Sequence, residues 1–579
     1  MTAPLFANIK KLCLMVLTCF LTIPLIAALT YAASAQGQDD EQRDFPSLRI
    51  TSERHPFRQA REFWHNGTLT LDSDNPDWNF DDVDVRLRGR GNSTWIAAPN
   101  KRPLRIRFET PQEMFGQEAH RDWILLANAF DGSLLRTHFT FYFASLLGDS
   151  TIYVPSSQFV HLYINGQYVG VYQLTDERDN GPGRGNVRID GDPAVSEYWL
   201  EMDMRTDDFF SINGRYYDIR MPSGNNLTQA HINYAYEFLL AVSEAIRARD
   251  WNRITALIDV QSFVDFYIVQ EWSKELDIID VSVSSVFMQI LGQGENRRLV
   301  MGPFWDFDES FGNHNLDLWG VTSGPVGDLW AQRNYWFRNL MQVQQFRNEV
   351  ALRWIETESA REAAFENLEY MARVYERAFE RNFQVQPMFA SPWMEYRSPY
   401  ILAVGANWMC QVEYLVYFAQ ARANWLDIQF LRFSDVTPSD WFYDHVMTVY
   451  NADIIGGWSP STFAPNHIIT RYRFERSLAN LFGVDISSEI LNPFESITRE
   501  EMAVRLYDYV LEFGIQLSHY GSANFSDIQS LPVQSQNAII AMSQASIIFG
   551  RDMDMFVPFD WVTRAEASVV IARLMAAID

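Results

Sequence analysis

Cysteine is nearly absent from this chain of 579 residues, which contains only three. Cys13 and Cys19 lie inside an apolar N-terminal run, so Cys410 alone remains once that run is removed. One cysteine cannot form an internal disulfide. The stability of an exported form must therefore come from its hydrophobic cores.

Basic residues are also in deficit, with 47 Lys and Arg against 73 Asp and Glu and a formal net charge of −26. Such a chain repels nucleic acids and anionic membranes, and we expect neither as a partner. The ten histidines show no metal-ligand spacing, and His314 would be at most a single ligand. No Gly-x-Ser-x-Gly elbow supports a serine hydrolase.

Long apolar runs are missing except for residues 12–29, which follow Lys10 and Lys11. The small-x-small sequence Ala33-Ser34-Ala35 then precedes a polar stretch. This order predicts a cleaved signal peptide over residues 1–35 and a flexible linker over 36–47, hence a secreted protein with no membrane span after cleavage. A retained anchor is the alternative, because the run is long enough to cross a bilayer.

Beyond the linker, strand-like alternation gives way to helical periodicity. Alternating segments fill residues 48–220, with a hairpin predicted at Asn165-Gly166 and one helix at 133–147. From Thr228 onward the pattern predicts helices at 230–248, 260–276, 343–356, 360–382 and 412–428. We therefore expect an α+β domain of two lobes over residues 48–430, with a site between the lobes.

An internal repeat occupies the last part of the chain. Phe-Ser-Asp at 433–435 recurs at 525–527, and Phe-x-Pro at 463–465 recurs at 556–558. Thr-Arg pairs at 470–471, 498–499 and 563–564 each open a predicted helix, with Thr as the N-cap. The copies span 432–484, 485–524 and 525–579, and the middle one is partial.

These repeats resemble the S-layer homology (SLH) module. The resemblance implies an all-α bundle that binds secondary cell-wall polysaccharide and holds the protein at the bacterial cell surface. Arg471, Arg499 and Arg564 match the family's ligand-contacting position, and a guanidinium fork suits a ketal carboxylate. Each arginine could equally brace a helix end.

The most informative motif for chemistry is an apolar strand, residues 299–304, that leads into Asp306 and Asp308. Alternate residues of an extended chain point the same way, so both carboxylates can converge on a hard cation. Asp277 and Asp280 follow the helix at 260–276. A carboxylate after a helix and a strand that ends in Asp-Phe-Asp are typical of phosphoryl-transfer sites. Paired carboxylates could also suggest a glycosidase.

A glycine-rich turn supports phosphate binding instead. Residues 88–95 read Arg-Gly-Arg-Gly-Asn-Ser-Thr-Trp, and Lys101 follows. Backbone N–H groups of such a turn can approach phosphate, and a lysine can pair with it. Asp176 or Glu177 could then pair with Lys101.

Together these segments resemble the spore-coat-protein-H (CotH) kinase family. The matching blocks, in family order, are residues 90–95, 101–108, 123–128, 165–172, 198–203 and 302–308. The resemblance implies a divergent protein-kinase-like fold followed by the all-α SLH domain. It also implies an ATP-dependent Ser/Thr kinase that acts on secreted or surface proteins with Mg²⁺ or Mn²⁺.

Carried over by position, the resemblance gives each site residue a role. The metal ligands would be Asp306 and Asp308, and the catalytic residue Asp277 or Asp280. The nucleotide-binding residues would be Arg90, Asn92, Ser93, Lys101, Asp176 and Glu177. The family often has Asn where this chain has Glu275, and Glu where it has Asp176. The alternative function is therefore an inactive pseudokinase that serves as a wall-anchored binding or assembly protein.

Overall fold

The computed structural model describes residues 43–578 except 182, 204–209, 280–283, 315–325, 391–406, 432, 434, 460–461, 486–491, 521–522 and 552–553. The predicted signal peptide lies outside these residues. No helix within the described ranges is long and apolar enough to cross a membrane.

Seven strands form a closed barrel in the order β1-β2-β3-β4-β5-β7-β6. Their bounds are β1 Ser47–Ser52, β2 His65–Asp72, β3 Phe80–Gly89, β4 Leu104–Met114, β5 Gln117–Leu126, β6 Gln158–Ile164 and β7 Gln167–Asp176. Neighbours pair antiparallel, except that β1 pairs parallel with β6 and closes the barrel, with Ser47 opposite His161. Alternation places residues such as Val85, Leu87 and Ile106 in the barrel interior.

A second sheet of five strands has the order β12-β11-β8-β10-β9. The strands are β8 Tyr198–Met202, β9 Phe210–Ile212, β10 Arg215–Met221, β11 Val286–Leu291 and β12 Arg298–Met301. All pairings are antiparallel. One continuous core joins this sheet to the outside of the barrel and to the helices that follow.

The helices of this region begin at polar caps. Thr228, Asp250 and Asp259 each accept a hydrogen bond from a backbone N–H of the first turn that follows. The helices are Ser93–Ala97, Arg136–Ser145, Gln229–Ala248, Trp251–Leu257, Val260–Ser273, Tyr335–Leu340, Gln344–Glu356, Glu358–Val374, Glu376–Val385 and Trp408–Leu431. The single helix predicted at 360–382 is thus two, which meet at Tyr375, where the ring stacks on Phe45 at 4.6 Å.

The expected two-lobed, kinase-like α+β domain is wrong. Residues 47–176 do not form an open lobe, because the parallel β1–β6 pairing closes their sheet into a barrel. The alternation that predicted strands carries no information on which distant strands pair. It therefore could not distinguish an open sheet from a closed one.

The repeat region has a core of its own. Its helices are Tyr443–Asn451, Arg471–Phe482, Arg499–Glu512, Val533–Gln544 and Arg564–Ile578. Thr470 and Thr498 are the N-caps of two of them, and Thr563 accepts the same hydrogen bond from Glu566 N, which confirms the predicted helix starts. The all-α description is wrong in part, because bridges of β type join the segments before these helices.

Those bridging segments form a closed ring of backbone hydrogen bonds. Ile469 N–H donates to Val562 O, Val562 N–H to Ile497 O, and Ile497 N–H to Ile469 O, at 2.9, 3.1 and 3.1 Å. Each copy is therefore bonded to both others.

Candidate active site

An open cleft of about 340 Å³ lies between the end of β3 and the segment after β12. Both predicted metal ligands, Asp306 and Asp308, line it opposite Arg90. The other lining residues are Thr94, Pro103, Leu126, Ala127, Asn128, Thr137 and Trp305.

The chain after β12 places the two aspartates by a tight turn. Phe304, Trp305 and Phe307 are buried and fix the segment. Asp306 has φ 68° in the left-handed region, and Asp308 lies in the 3₁₀ turn Phe307–Glu309. The pair is therefore not extended as the sequence suggested, yet both residues reach the same cleft. Ser285 Oγ donates to Asp306 Oδ2 at 3.3 Å.

Glu275 and Asp277 approach the same aspartates from the end of helix Val260–Ser273. Lys274 ends the helix in the left-handed conformation, and Glu275 caps the turn Leu276–Ile278 by accepting from Asp277 N–H at 3.2 Å. Burial raises the pKa of Glu275 well above its usual value, and the charges of Asp277, Asp306 and Asp308 raise it further. Asp280, the alternative catalytic residue, lies outside the described residues.

Glu275 is the residue that sequence reasoning undervalued. Its side chain is 2% exposed, and Oε2 is buried without a hydrogen-bond partner in the described part of the chain. The available signal was that this chain has Glu275 where the family often has Asn. From the sequence alone, that difference was interpreted as a departure that weakens the case for an active kinase.

Arg90 supplies the positive side of the cleft. Its guanidinium carbon lies 5.5 Å from the centre of the Trp305 ring, and Arg178 stacks on the same ring at 4.6 Å. Burial and the nearby Arg178 lower the pKa of Arg90 to about 10, against the opposing charges of Glu177, Asp306 and Asp308. Arg90 therefore stays charged at neutral pH and faces both aspartates.

Lys101 lies behind the cleft rather than in it. Its ammonium donates to Ala127 O and sits 5.0 Å from the Tyr172 ring centre. Burial lowers its pKa to about 7, although Asp131 acts to raise it. Ala127 itself lines the cleft, so Lys101 touches the cleft wall through a backbone carbonyl.

Asp176 and Glu177 do not pair with this lysine. Asp176 accepts from Tyr153 Oη at 2.5 Å, from Ser156 N at 2.9 Å and from Arg184 at 3.4 Å. Glu177 forms an ion pair with Arg105 at 3.0 Å. Burial opposes ionisation of Glu177, but Arg105 and Arg178 outweigh it and lower its pKa.

The glycine-rich turn is only partly directed at the cleft. Asn92 is exposed and accepts from Arg61 Nη1 at 2.7 Å, while Ser93 starts the short helix Ser93–Ala97. Thr94 and Asn128 line the cleft instead. Neither residue was predicted to belong to the site, and Thr94 directly follows the predicted Ser93 in the turn.

The donors at the cleft fit a hard divalent cation. They include the carboxylates of Asp306 and Asp308. Glu275 Oε2, which has no hydrogen-bond partner among the described residues, is a further acceptor that a cation would satisfy. Within the described ranges no three acidic, histidine or cysteine side chains already stand at ligand distance from one point. The charges of Asp277, Asp306 and Asp308 all act on Glu275, so each of them lies within electrostatic range of that carboxyl group.

The three repeat arginines fall into two kinds. Arg499 and Arg564 are buried and donate to main-chain carbonyls, Arg499 to Phe556 O at 3.0 Å and Arg564 to Phe463 O at 2.8 Å. A second nitrogen of each reaches another carbonyl at 2.7 Å. Nη1 of each has no hydrogen bond in the described part of the protein. Arg471 instead pairs with Glu495 at 2.7 Å and Glu501 at 2.6 Å.

Two known families match parts of this chain. The model of the CotH kinase protein family matches residues 86–426, more than half of the chain. The chain belongs to the CotH kinase protein family. The S-layer homology domain model matches residues 432–471 and 524–568. These matches cover the first and last copies predicted from the repeat.

Curated relatives match over shorter stretches. An endoglucanase of Bacillus sp. (strain KSM-635) is 27% identical over 28% of this chain and 20% of its own length. An exoglucanase of Acetivibrio thermocellus is 27% identical over 25% of the chain and 11% of its length. An amylopullulanase of Thermoanaerobacterium thermosulfurigenes is 24% identical over 25% of this chain and 9% of its own length. The chain thus spans a fifth or less of these relatives.

The matches define the protein at a coarse level. It is a surface-anchored protein of the CotH family, because SLH domains typically bind secondary cell-wall polysaccharide and hold exported proteins on the bacterial surface.

Proposed function

We propose that this protein is an exported, wall-anchored atypical protein kinase that transfers the γ-phosphoryl group of ATP to Ser or Thr of secreted or surface proteins. The observation that carries the proposal is the cleft in which the Arg90 guanidinium faces the Asp306 and Asp308 carboxylates. Phosphoryl transfer needs cations against phosphate oxygens and carboxylates for a divalent metal, and this cleft has both.

In this proposal Arg90 binds a phosphate oxygen of ATP. Asp306, Asp308 and Glu275 would hold Mg²⁺ or Mn²⁺, which would neutralise charge on the phosphates. Asp277 orients the acceptor hydroxyl and takes its proton. The hydroxyl oxygen bonds to the γ-phosphorus while the bond to the β–γ bridging oxygen breaks, and ADP leaves with that electron pair.

Ligand-dependent stabilisation tests this assignment. Thermal unfolding of the full chain would be followed with ATP, with Mg²⁺ or Mn²⁺, and with both. Occupancy at about 100 times the dissociation constant should add ~2.7 kcal/mol to the free energy of unfolding. Transfer itself would be measured with γ-labelled ATP and a Ser/Thr peptide library. Absence of any shift with every nucleotide and metal would refute nucleotide binding.

One observation favours the alternative, a pseudokinase that serves as a wall-anchored binding or assembly protein. Lys101 bonds a backbone carbonyl, and Asp176 is engaged by Tyr153, Ser156 and Arg184, so the lysine–carboxylate pair that kinases require is not formed. A stabilising shift with nucleotide but no label transfer to any peptide would support this alternative over the kinase.

We further propose that Arg499 and Arg564 contact wall polysaccharide through Nη1, the atom that makes no hydrogen bond within the part of the chain that the structure describes. Arg471 is occupied by two glutamates. It should contribute less, which would make its groove the weakest of the three.

A further inference from the structure

The outer face of the barrel carries four arginines around one tryptophan, here called the arginine–Trp64 patch: Arg86, Arg88, Arg105, Arg107 and Trp64. Arg86 and Arg88 alternate with the buried Leu87 on β3, so both point outward. Across the pairing, Arg86 stands opposite Arg107 and Arg88 opposite Arg105. The four guanidinium carbons lie 4.8 to 5.9 Å from the Trp64 ring centre.

Nearby carboxylates neutralise this patch only in part, although the charges of Glu177 and Asp122 also act on Arg88. Arg107 pairs with Asp122 at 2.7 Å, and Arg105 pairs with Asp122 and Glu177 at 3.0 Å each. Arg86 and Arg88 have no ion pair among the described residues, and Arg88 Nε is buried without a hydrogen-bond partner there. Like charges on opposed strand positions destabilise a sheet, so this arrangement costs free energy unless an anion binds.

The spacing of the unpaired arginines fits an extended peptide. Alternate residues of a strand are about 6.6 Å apart, because each residue rises about 3.3 Å. Carboxylates at alternate positions of an extended acidic peptide have the same separation. Each guanidinium fork can bind one carboxylate with two hydrogen bonds, and Trp64 offers a flat apolar contact between them.

The patch is continuous with the cleft. Arg90 follows Arg88 by two positions, just after the end of β3, and the charges of Arg105 of the patch and Arg90 of the cleft both act on Glu177. A peptide bound along Arg86 and Arg88 would therefore lead toward Asp306. A long polyanion fits less well, because it would extend beyond the patch over a chain whose net charge is −26.

We propose that the arginine–Trp64 patch docks an extended acidic segment of the acceptor protein, with carboxylates at alternate residues on Arg86 and Arg88. The role in substrate capture rests on the proposed phosphoryl transfer. The binding itself does not, and it can be measured without nucleotide or metal.

The test uses the full chain and a fluorescein-labelled peptide of alternating Asp and Ser, followed by fluorescence anisotropy at low and high salt. R86Q/R88Q should weaken binding at least about tenfold, because two charge-assisted contacts are lost. The matched control is R247Q/R253Q, which removes the same charge from exposed helix positions. It should leave the affinity unchanged. Arg86 is exposed, so R86Q alone should fold and give an intermediate loss.

Several results would overturn the docking proposal. The first is that the acidic peptide binds no more tightly than an all-Ser peptide. The second is that R247Q/R253Q loses as much affinity as R86Q/R88Q, or that folded R86Q keeps the full affinity. The third is that oligothymidylate or an anionic glycan binds the patch more tightly than the acidic peptide does. A chain that binds ATP but not the acidic peptide refutes docking alone. A chain that binds the peptide but no nucleotide refutes phosphoryl transfer and leaves docking intact.

Discussion

The charged groups of the cleft and those of the repeat region are satisfied in opposite ways. Beside the cleft, Glu275 Oε2 is buried without a hydrogen-bond partner among the described residues, and Arg90 lines the cleft together with Asp306 and Asp308. In the repeats, Arg499 and Arg564 are each held by two main-chain carbonyls. A buried group without a partner costs stability and indicates a ligand. Each repeat arginine instead makes two hydrogen bonds that contribute to folding and leaves only Nη1 for a ligand. Substitutions in the two regions should therefore fail in different assays.

The largest effect should come from Asp306→Ala. This change removes a proposed metal ligand and should lower label transfer by about a thousandfold or more, the scale of losing one electrostatic group in a phosphoryl-transfer site. The ATP- and metal-dependent shift of the unfolding temperature should vanish as well. Sedimentation with purified cell-wall sacculi should be unchanged. If the variant lost both label transfer and wall binding, the cause would be misfolding, and the cleft and the repeat region would not fail separately as expected.

Arg564→Ala should be the most damaging change in the repeats. It leaves Phe463 O and Gly456 O without their buried donor, which should cost about 2–4 kcal/mol of unfolding free energy. Arg471→Ala is the matched control and should cost only about 0.2–1 kcal/mol, since its ion pairs are partly exposed. Denaturant unfolding of both variants measures the difference, and equal losses would contradict the two-class description.

Glu275→Gln should have opposite effects in the absence and presence of metal. Removing a buried carboxylate beside three others should raise the free energy of unfolding of the metal-free protein by about 1–3 kcal/mol. It should also reduce the stabilisation that Mn²⁺ provides. The control is Glu295→Gln, on an exposed turn. If Glu275→Gln destabilised the metal-free protein, the carboxylate would have a structural role instead.

The remaining effect is a pH dependence of stability that Lys101 should cause. Its folded pKa of about 7 is below the unfolded value, so the folded state binds fewer protons between these two values and stability rises with pH. The rise is at most about 1.36 kcal/mol per pH unit and is complete above the unfolded pKa of roughly 10.4. Lys101→Met should remove this rise between pH 7 and 10. Identical pH profiles of unfolding in both proteins would show that Lys101 is charged when folded.

Local elements were predictable because their signals are local. The hairpin at Asn165-Gly166, the Thr caps of the repeat helices and helix Val260–Ser273 follow from turn chemistry, capping and periodicity within a few residues. The closure of the barrel could not be predicted, because it depends on pairing between β1 and β6, which are more than 100 residues apart in the chain.

The site was predictable to a similar degree. Asp306 and Asp308 were found from a strand that leads into an acidic motif, and both line the cleft. The expected contact of Lys101 with Asp176 failed, because Tyr153, Ser156 and Arg184 occupy that carboxylate. None of those three residues belongs to a recognisable motif, so only the folded chain reveals the competition.

The closed hydrogen-bond cycle through Ile469, Ile497 and Val562 has a mechanical consequence. An envelope tether is pulled whenever its cargo is dragged by flow, and the force enters through the chain that leads into the first copy. Because every copy is bonded to both neighbours, peeling one copy away must rupture two of the three bonds together. Load is thereby shared among modules that are far apart along the chain, and a nick in one loop does not release the others.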